Sequence, residues 1–162
     1  MKTAIVYYSK HHGNTKRLAD AIAERYDVTL IDVLNAENTD LSEFDLIGFA
    51  SGIYFSSFSR QILSFAEKYL PDNKDVFFMN TCGFQSPVVY FDAIRRIARA
   101  KKCRELGAYQ CLGYDTFGPF KAVGGIAKGH PNKEEILGAV RFYGEISGNS
   151  ATQRKMPQLR ST

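Results

Sequence analysis

Five short apolar runs, each separated from the next by a stretch with helical periodicity or by polar turns, constrain this chain more than any other feature. The runs are Thr3 to Tyr8, Asp27 to Val33, Asp45 to Ala50, Asp75 to Met79 and Gly107 to Tyr114. Runs this short, rich in β-branched and aromatic residues, suit strands buried on both faces. Repeated strand–helix alternation calls for parallel strands joined by right-handed crossovers, with helices on both faces of the sheet. The expected fold is α/β: a doubly wound, five-stranded parallel sheet in three layers with strand order 2-1-3-4-5. In such a sheet a ligand sits beyond the carboxyl ends of the strands, where the strand order reverses.

The helices follow from their apolar faces. Leu18, Ala19, Ile22, Ala23 and Tyr26 fall on one face of the first, and Ile62, Leu63, Ala66, Tyr69 and Leu70 on one face of a later one. Ser86-Pro87 reads as a helix start, with proline at the first helical position and Ile94, Ile97 and Ala98 inward. Asn132 followed three residues on by Glu135 makes a capping box that opens a last helix. Leu34 to Glu43 is too polar and too short for a helix and reads as a loop or a single turn.

The 162 residues suffice for one domain with a real core. That domain is expected over residues 1–148, followed by a basic tail at 149–162. From Ser147 onward the chain holds Arg154, Lys155 and Arg160 and no acid, which accounts for +3 of the +4 net charge. So small a charge reads as a solvated end rather than a nucleic-acid arm. MKTAIVYYS is too short and has too little charge for a signal peptide, and no apolar run approaches the ~18 residues that cross a bilayer. Three cysteines without CxxC spacing suit a reducing compartment. A cytoplasmic protein without stable membrane insertion is expected.

The first strand leads into Ser9-Lys10-His11-His12-Gly13-Asn14-Thr15 and then a helix. Hydroxyls at both ends, a glycine, an asparagine and a helix N-terminus can converge as donors on one concavity, which is what a phosphate needs. A well-capped turn with no ligand is the plainer alternative.

YYSKHHGNTKRLADAIAE resembles the phosphate loop of flavodoxins, in which a strand ends in Ser or Thr and leads into a Gly-Asn-Thr helix start. The resemblance continues through DLSEFDLIGFASGIYF, DVFFMNTCG and GYDTFGPFKAVGGIAKGHPNKEE, and covers about Met1 to Gly148. It departs at one point. The usual short loop has six residues, whereas this one has seven, and the longer form also resembles that of menaquinone-dependent protoporphyrinogen oxidases. The resemblance implies one non-covalent FMN, with Ser9, His11, His12, Gly13, Asn14 and Thr15 around its phosphate. Lys10 either adds charge or is simply solvated.

By the same resemblance, the loops Ser51-Gly52-Ile53-Tyr54-Phe55 and Thr81-Cys82-Gly83-Phe84 flank the isoalloxazine ring. Tyr54 is the candidate for the ring face, with Phe55 and Phe84 as alternatives. Cys82 reads as a buried, inert thiol rather than a catalytic one. Adjacent histidines rarely converge on one ion, so His11 and His12 are not read as metal ligands. Glycine- and aromatic-rich Gly113 to Gly125 is either a lid or partner surface or a turn-rich connection. Neither flavin loop carries Asp or Glu from Ser51 to Phe58 or from Thr81 to Phe91. The reduction potential is therefore expected to be less negative than in acidic flavodoxins, unless Asp92 or Asp115 folds back towards the ring.

Related folds are excluded on their chemistry. A receiver domain needs acids where Tyr8-Ser9 and Ala50-Ser51 stand, and a Cys-x5-Arg phosphatase loop is missing at all three cysteines. Only Gly13 remains of a dinucleotide G-x-G-x-x-G. Two function classes remain. The first is an electron carrier serving a reductase donor and an unidentified acceptor. The second is an FMN-dependent oxidoreductase acting on a quinone or a porphyrinogen. Flavin chemistry needs no protein acid or base, so no catalytic residue is assigned.

Overall fold

The computed structural model describes residues 1–10, 12–84, 89–116 and 118–148. The Ser86-Pro87 helix start and the tail from 149 lie outside the described residues. The elements run β1 (Thr3–Tyr8), α1 (Asn14–Ala23), β2 (Val28–Asp32), β3 (Leu46–Tyr54), β4 (Ser57–Phe58), α2 (Arg60–Tyr69), β5 (Asp75–Cys82), α3 (Asp92–Ala100), β6 (Arg104–Leu112) and α4 (Lys133–Ile146). The long strands pair in parallel in the order β2-β1-β3-β5-β6, with β4 antiparallel to the end of β3. Numbered by long strands alone, this is the doubly wound order 2-1-3-4-5.

Side-chain alternation divides the core. From β1, Ala4, Val6 and Tyr8 join one cluster with Phe49, Phe78, Ile62, Phe65 and Ile94, under α2 and α3. Ile5 and Tyr7 join the other with Leu18, Ile22, Phe77, Met79, Val140 and Tyr143, under α1 and α4. The Tyr143 hydroxyl donates to Thr3 Oγ1 at 2.9 Å within that second cluster, so this ring is buried without leaving its oxygen unpaired. At the start of α4, the Asn132 side chain accepts from the Glu135 amide at 2.9 Å and the Glu135 carboxylate accepts from the Asn132 amide at 2.7 Å. The capping box read from the sequence is thus formed.

Register brings the strand ends level. Tyr8 pairs with Ser51, Gly52 with Thr81, and Thr81 with Cys111, so the loops after β1, β3, β5 and β6 leave at one edge. The third strand runs four residues beyond the expected Ala50, to Tyr54, and then folds back as β4. Phe55 and Ser56 make the two-residue turn with φ of 49° and 61°. Two positive φ values are the mark of a type I′ hairpin turn, whose twist matches the flanking strands. Such turns normally use Asn-Gly, so Phe-Ser gave no turn signal. The stretch after β2 is a 3-10 turn over Val33–Asn35, as its composition suggested.

Candidate functional site

A cleft at the carboxyl edge of the sheet gathers residues from four strand ends. Ser9, Lys10, Asn14 and Thr15 come from the first loop, Gly52, Ile53 and Tyr54 from β3, and Thr81, Cys82 and Gly83 from the end of β5. Gly113, Tyr114 and Asp115, which follow β6, complete it. These last three belong to the segment that composition alone left between lid and connection. His12, Gly13, Ser51, Phe55 and Phe84 are not among the lining residues, and His11 lies outside the described residues.

The first loop is built around the start of α1. His12 and Gly13 are both left-handed, with φ of 57° and 66°, and Gly13 is the N-cap. A glycine cap has no side chain, so it satisfies none of the helix's orphan amides. Ser9 Oγ accepts from the Lys16 amide at 3.2 Å and the Gly13 carbonyl from the Arg17 amide at 3.0 Å. Among the described residues, the Asn14 and Thr15 amides have no protein acceptor. The first turn carries Lys16 and Arg17 and no acid, although cations at this end oppose the helix dipole.

Side chains then tie this loop to the others. Thr15 Oγ1 lies 2.8 Å from Thr81 Oγ1, both buried, and Asn14 Nδ2 donates to the Tyr114 carbonyl at 2.8 Å. His12 is used in the same way. Its ring packs on Tyr114 at 4.3 Å, and its Nε2 lies 3.0 Å from Thr116 Oγ1. Glycines allow these approaches. A Cβ on Gly113 would fall 2.8 Å from Asn14 Nδ2, and one on Gly83 would fall 2.7 Å from Asp115 Cβ.

Ser51 is a hairpin pin. It is fully buried, donates to the Gly52 carbonyl at 2.6 Å and accepts from the Ser59 amide at 2.9 Å. Tyr54 is half-buried and packs edge-on against Tyr8 at 5.8 Å. Burial, then Tyr8 and Asp115, push its hydroxyl up to about 12. Phe55, 88% exposed, and Phe84, 73% exposed, stand at the surface. Cys82 is buried with Sγ 3.5 Å from the Cys111 carbonyl, and burial followed by Asp115 and Glu135 pushes its thiol up to about 12. A thiol held that far above neutrality is no nucleophile. Asp115 brings to the cleft a carboxylate that Ser51 to Phe58 and Thr81 to Phe91 lack.

The donor set fits a phosphate. Among the described residues, two amides without a protein acceptor, two hydroxyls and the positive end of a helix whose first turn holds no acid meet here. The cleft itself is narrow, about 30 Å3, so a three-ring flavin would lie at its edge, near the hairpin aromatics and Gly83.

A family model for the flavodoxin domain matches residues 5–86. An uncharacterized protein of Methanocaldococcus jannaschii is 35% identical over 150 residues, which span 92% of this chain and 100% of that protein. A flavodoxin from the domain Archaea superposes with a TM-score of 0.66 at 17% identity, over 92% of this chain and 98% of that one. A flavoprotein in complex with FMN from Lactobacillus acidophilus does so at 0.53 and 20%, over 67% of this chain and 92% of that one. At such identities the two structures share the fold. With the family model and the archaeal relative together covering the strand ends that build the cleft, the chain belongs to the flavodoxin-domain family.

Proposed function

We propose that this protein binds one FMN non-covalently at the cleft and carries electrons in the cytoplasm, from a flavoprotein reductase to an acceptor protein. The observation that carries this reading is the start of α1. Its Asn14 and Thr15 amides point to no protein acceptor among the described residues, and its first turn is cationic where the helix dipole favours an anion. Ser9 and Thr15 would donate their hydroxyls to the phosphate, and Tyr54, Phe55 or Phe84 would cover the ring. Bound FMN would supply reversible storage of one or two electrons. Tyr54 and Cys82 keep their protons at neutral pH, so neither acts as a base. Three free cysteines agree with a reducing compartment.

A second reading is an FMN-dependent oxidoreductase acting on a quinone or a porphyrinogen. The seven-residue loop from Ser9 to Thr15 favours it. Reduction of the FMN-loaded protein by a flavoprotein reductase, followed with and without added quinone, separates the two. A carrier is reduced and reoxidised by protein partners at a rate indifferent to quinone. Turnover that requires the quinone or a porphyrinogen identifies the enzyme.

A further inference from the structure

Positive charge is concentrated on one part of the surface, away from the cleft. Asp92 to Glu105 covers α3, the turn after it and the start of β6, and holds six cations against two acids. The rest of the body up to Gly148 carries twelve cations and fifteen acids. Ile94 and Ala98 are buried on the inner face of α3, which leaves Arg95, Arg96 and Arg99 on its outer face. Like charges at i and i+4, as at Arg95 and Arg99, repel along a helix.

Two of the six cations have carboxylate partners. Arg95 donates to Glu105 through Nε at 2.9 Å and Nη2 at 2.8 Å, and Arg104 donates to Asp75 through Nε at 2.8 Å and Nη2 at 2.7 Å. Arg96, Arg99, Lys101 and Lys102 enter no salt bridge among the described residues, and all but half-buried Lys101 are exposed. Of the acids nearby, Asp92 sits in the first turn of α3, where it complements the helix dipole, and Asp72 stands in the turn before β5. The Asn73 amide donates to the Lys101 carbonyl and the Arg104 amide to the Lys74 carbonyl, both at 2.9 Å, which fixes the turn after α3 at the start of β5. The cleft lies at the other end of that strand, eight residues on, about 23 Å away.

We propose that the outer face of α3 and the turn after it dock an acidic segment of a partner protein, rich in Asp and Glu, through Arg96, Arg99 and Lys102. The planar guanidinium fork matches a carboxylate, as the two pairs within the same stretch already show. Among the described residues, no exposed large apolar side chain lies from Asp92 to Glu105, so the face has nothing to insert into a bilayer or to stack on unpaired bases. The net acidic remainder of the body opposes a long polyanion such as duplex DNA, whereas a short acidic segment meets the patch alone. A partner held there leaves the cleft open. The surface goes beyond the FMN reading and stands without it, because it takes no residue from the cleft.

Fluorescence anisotropy of a dye-labelled oligo-glutamate peptide, titrated with the full-length protein at low ionic strength with saturating FMN and again without it, tests the surface. Arg96→Gln, Arg99→Gln and Lys102→Gln together should weaken peptide binding about 10-fold or more, as expected for three surface charge contacts, and leave FMN affinity unchanged. Arg154→Gln, Lys155→Gln and Arg160→Gln together remove the same charge from the tail and should weaken it by less than about twofold. Equal losses in the two triple variants, no binding of the peptide, or tighter binding to duplex DNA or to phosphatidylserine vesicles than to the peptide would each overturn the proposal. Peptide binding at α3 by a protein that does not take up FMN would uphold the surface and refute the flavin reading.

Discussion

Thr15→Val separates the structural contact of one hydroxyl from the phosphate contact proposed for it. Thr15 Oγ1 is 2.8 Å from Thr81 Oγ1, with the two residues 1% and 4% exposed. With Thr81 donating to it, the Thr15 hydroxyl is left to donate into the cleft, where the phosphate is placed. Losing a hydrogen bond to a charged group costs about 1.5–3 kcal/mol. That corresponds to FMN binding weakened by about 12- to 160-fold. Riboflavin lacks the phosphate, and its affinity should stay within about threefold. The apoprotein loses stability for a different reason. The buried Thr81 hydroxyl is left without a partner, which costs about 1–3 kcal/mol. Thr15→Val combined with Thr81→Val removes both partners, so stability should recover while FMN stays weakly bound. Quenching of flavin fluorescence measures both affinities at fixed salt, and urea unfolding of the apoprotein measures stability. Equal losses for FMN and riboflavin, or recovery of FMN affinity in the double variant, would refute the placement of the phosphate at Thr15.

Three further outcomes are expected. Asp115 lines the cleft. With an effective dielectric of about 40 and a separation of about 10 Å, Asp115→Asn should raise the potential of bound FMN by roughly 35 mV in a spectroelectrochemical titration. Cys82 and Cys111 are pushed up to about 12 by burial, so at pH 8 only about one thiol in 10,000 is ionised. Mass spectrometry should find N-ethylmaleimide on partly exposed Cys103 well before either of them. The Arg104 guanidinium, bonded to Asp75 at 2.8 and 2.7 Å, holds that carboxyl below its ordinary value. A depressed carboxyl stabilises the fold above its unfolded value and loses that contribution as pH falls through its folded one. Arg104→Gln should therefore be less stable than the parent at pH 7 in urea unfolding, with the difference vanishing in acid.

What the sequence disclosed depended on how local each signal was. β1 was legible because six consecutive residues are buried, and α4 because its cap requires only Asn132 and Glu135. The first loop was legible because a strand, a glycine and a helix start are adjacent. The hairpin was not, because its turn rests on Phe55 and Ser56, whose positive φ is imposed by pairing across β3 and β4. The bridge that the Ser51 hydroxyl makes between Gly52 and Ser59 was not legible either, because it depends on the hairpin bringing Ser59 back to β3. Asp115 lies 100 residues from Thr15 and reaches the same cleft through the register of β5 on β6, which no spacing in the chain reveals.

Purification of the full-length protein under native conditions, followed by an absorption spectrum and chromatography of whatever denaturation releases, tests the flavin site most directly. The account predicts a yellow protein that yields FMN rather than FAD, with one FMN per chain, because the start of α1 provides for a single phosphate. A colourless protein that also fails to bind added FMN would contradict it.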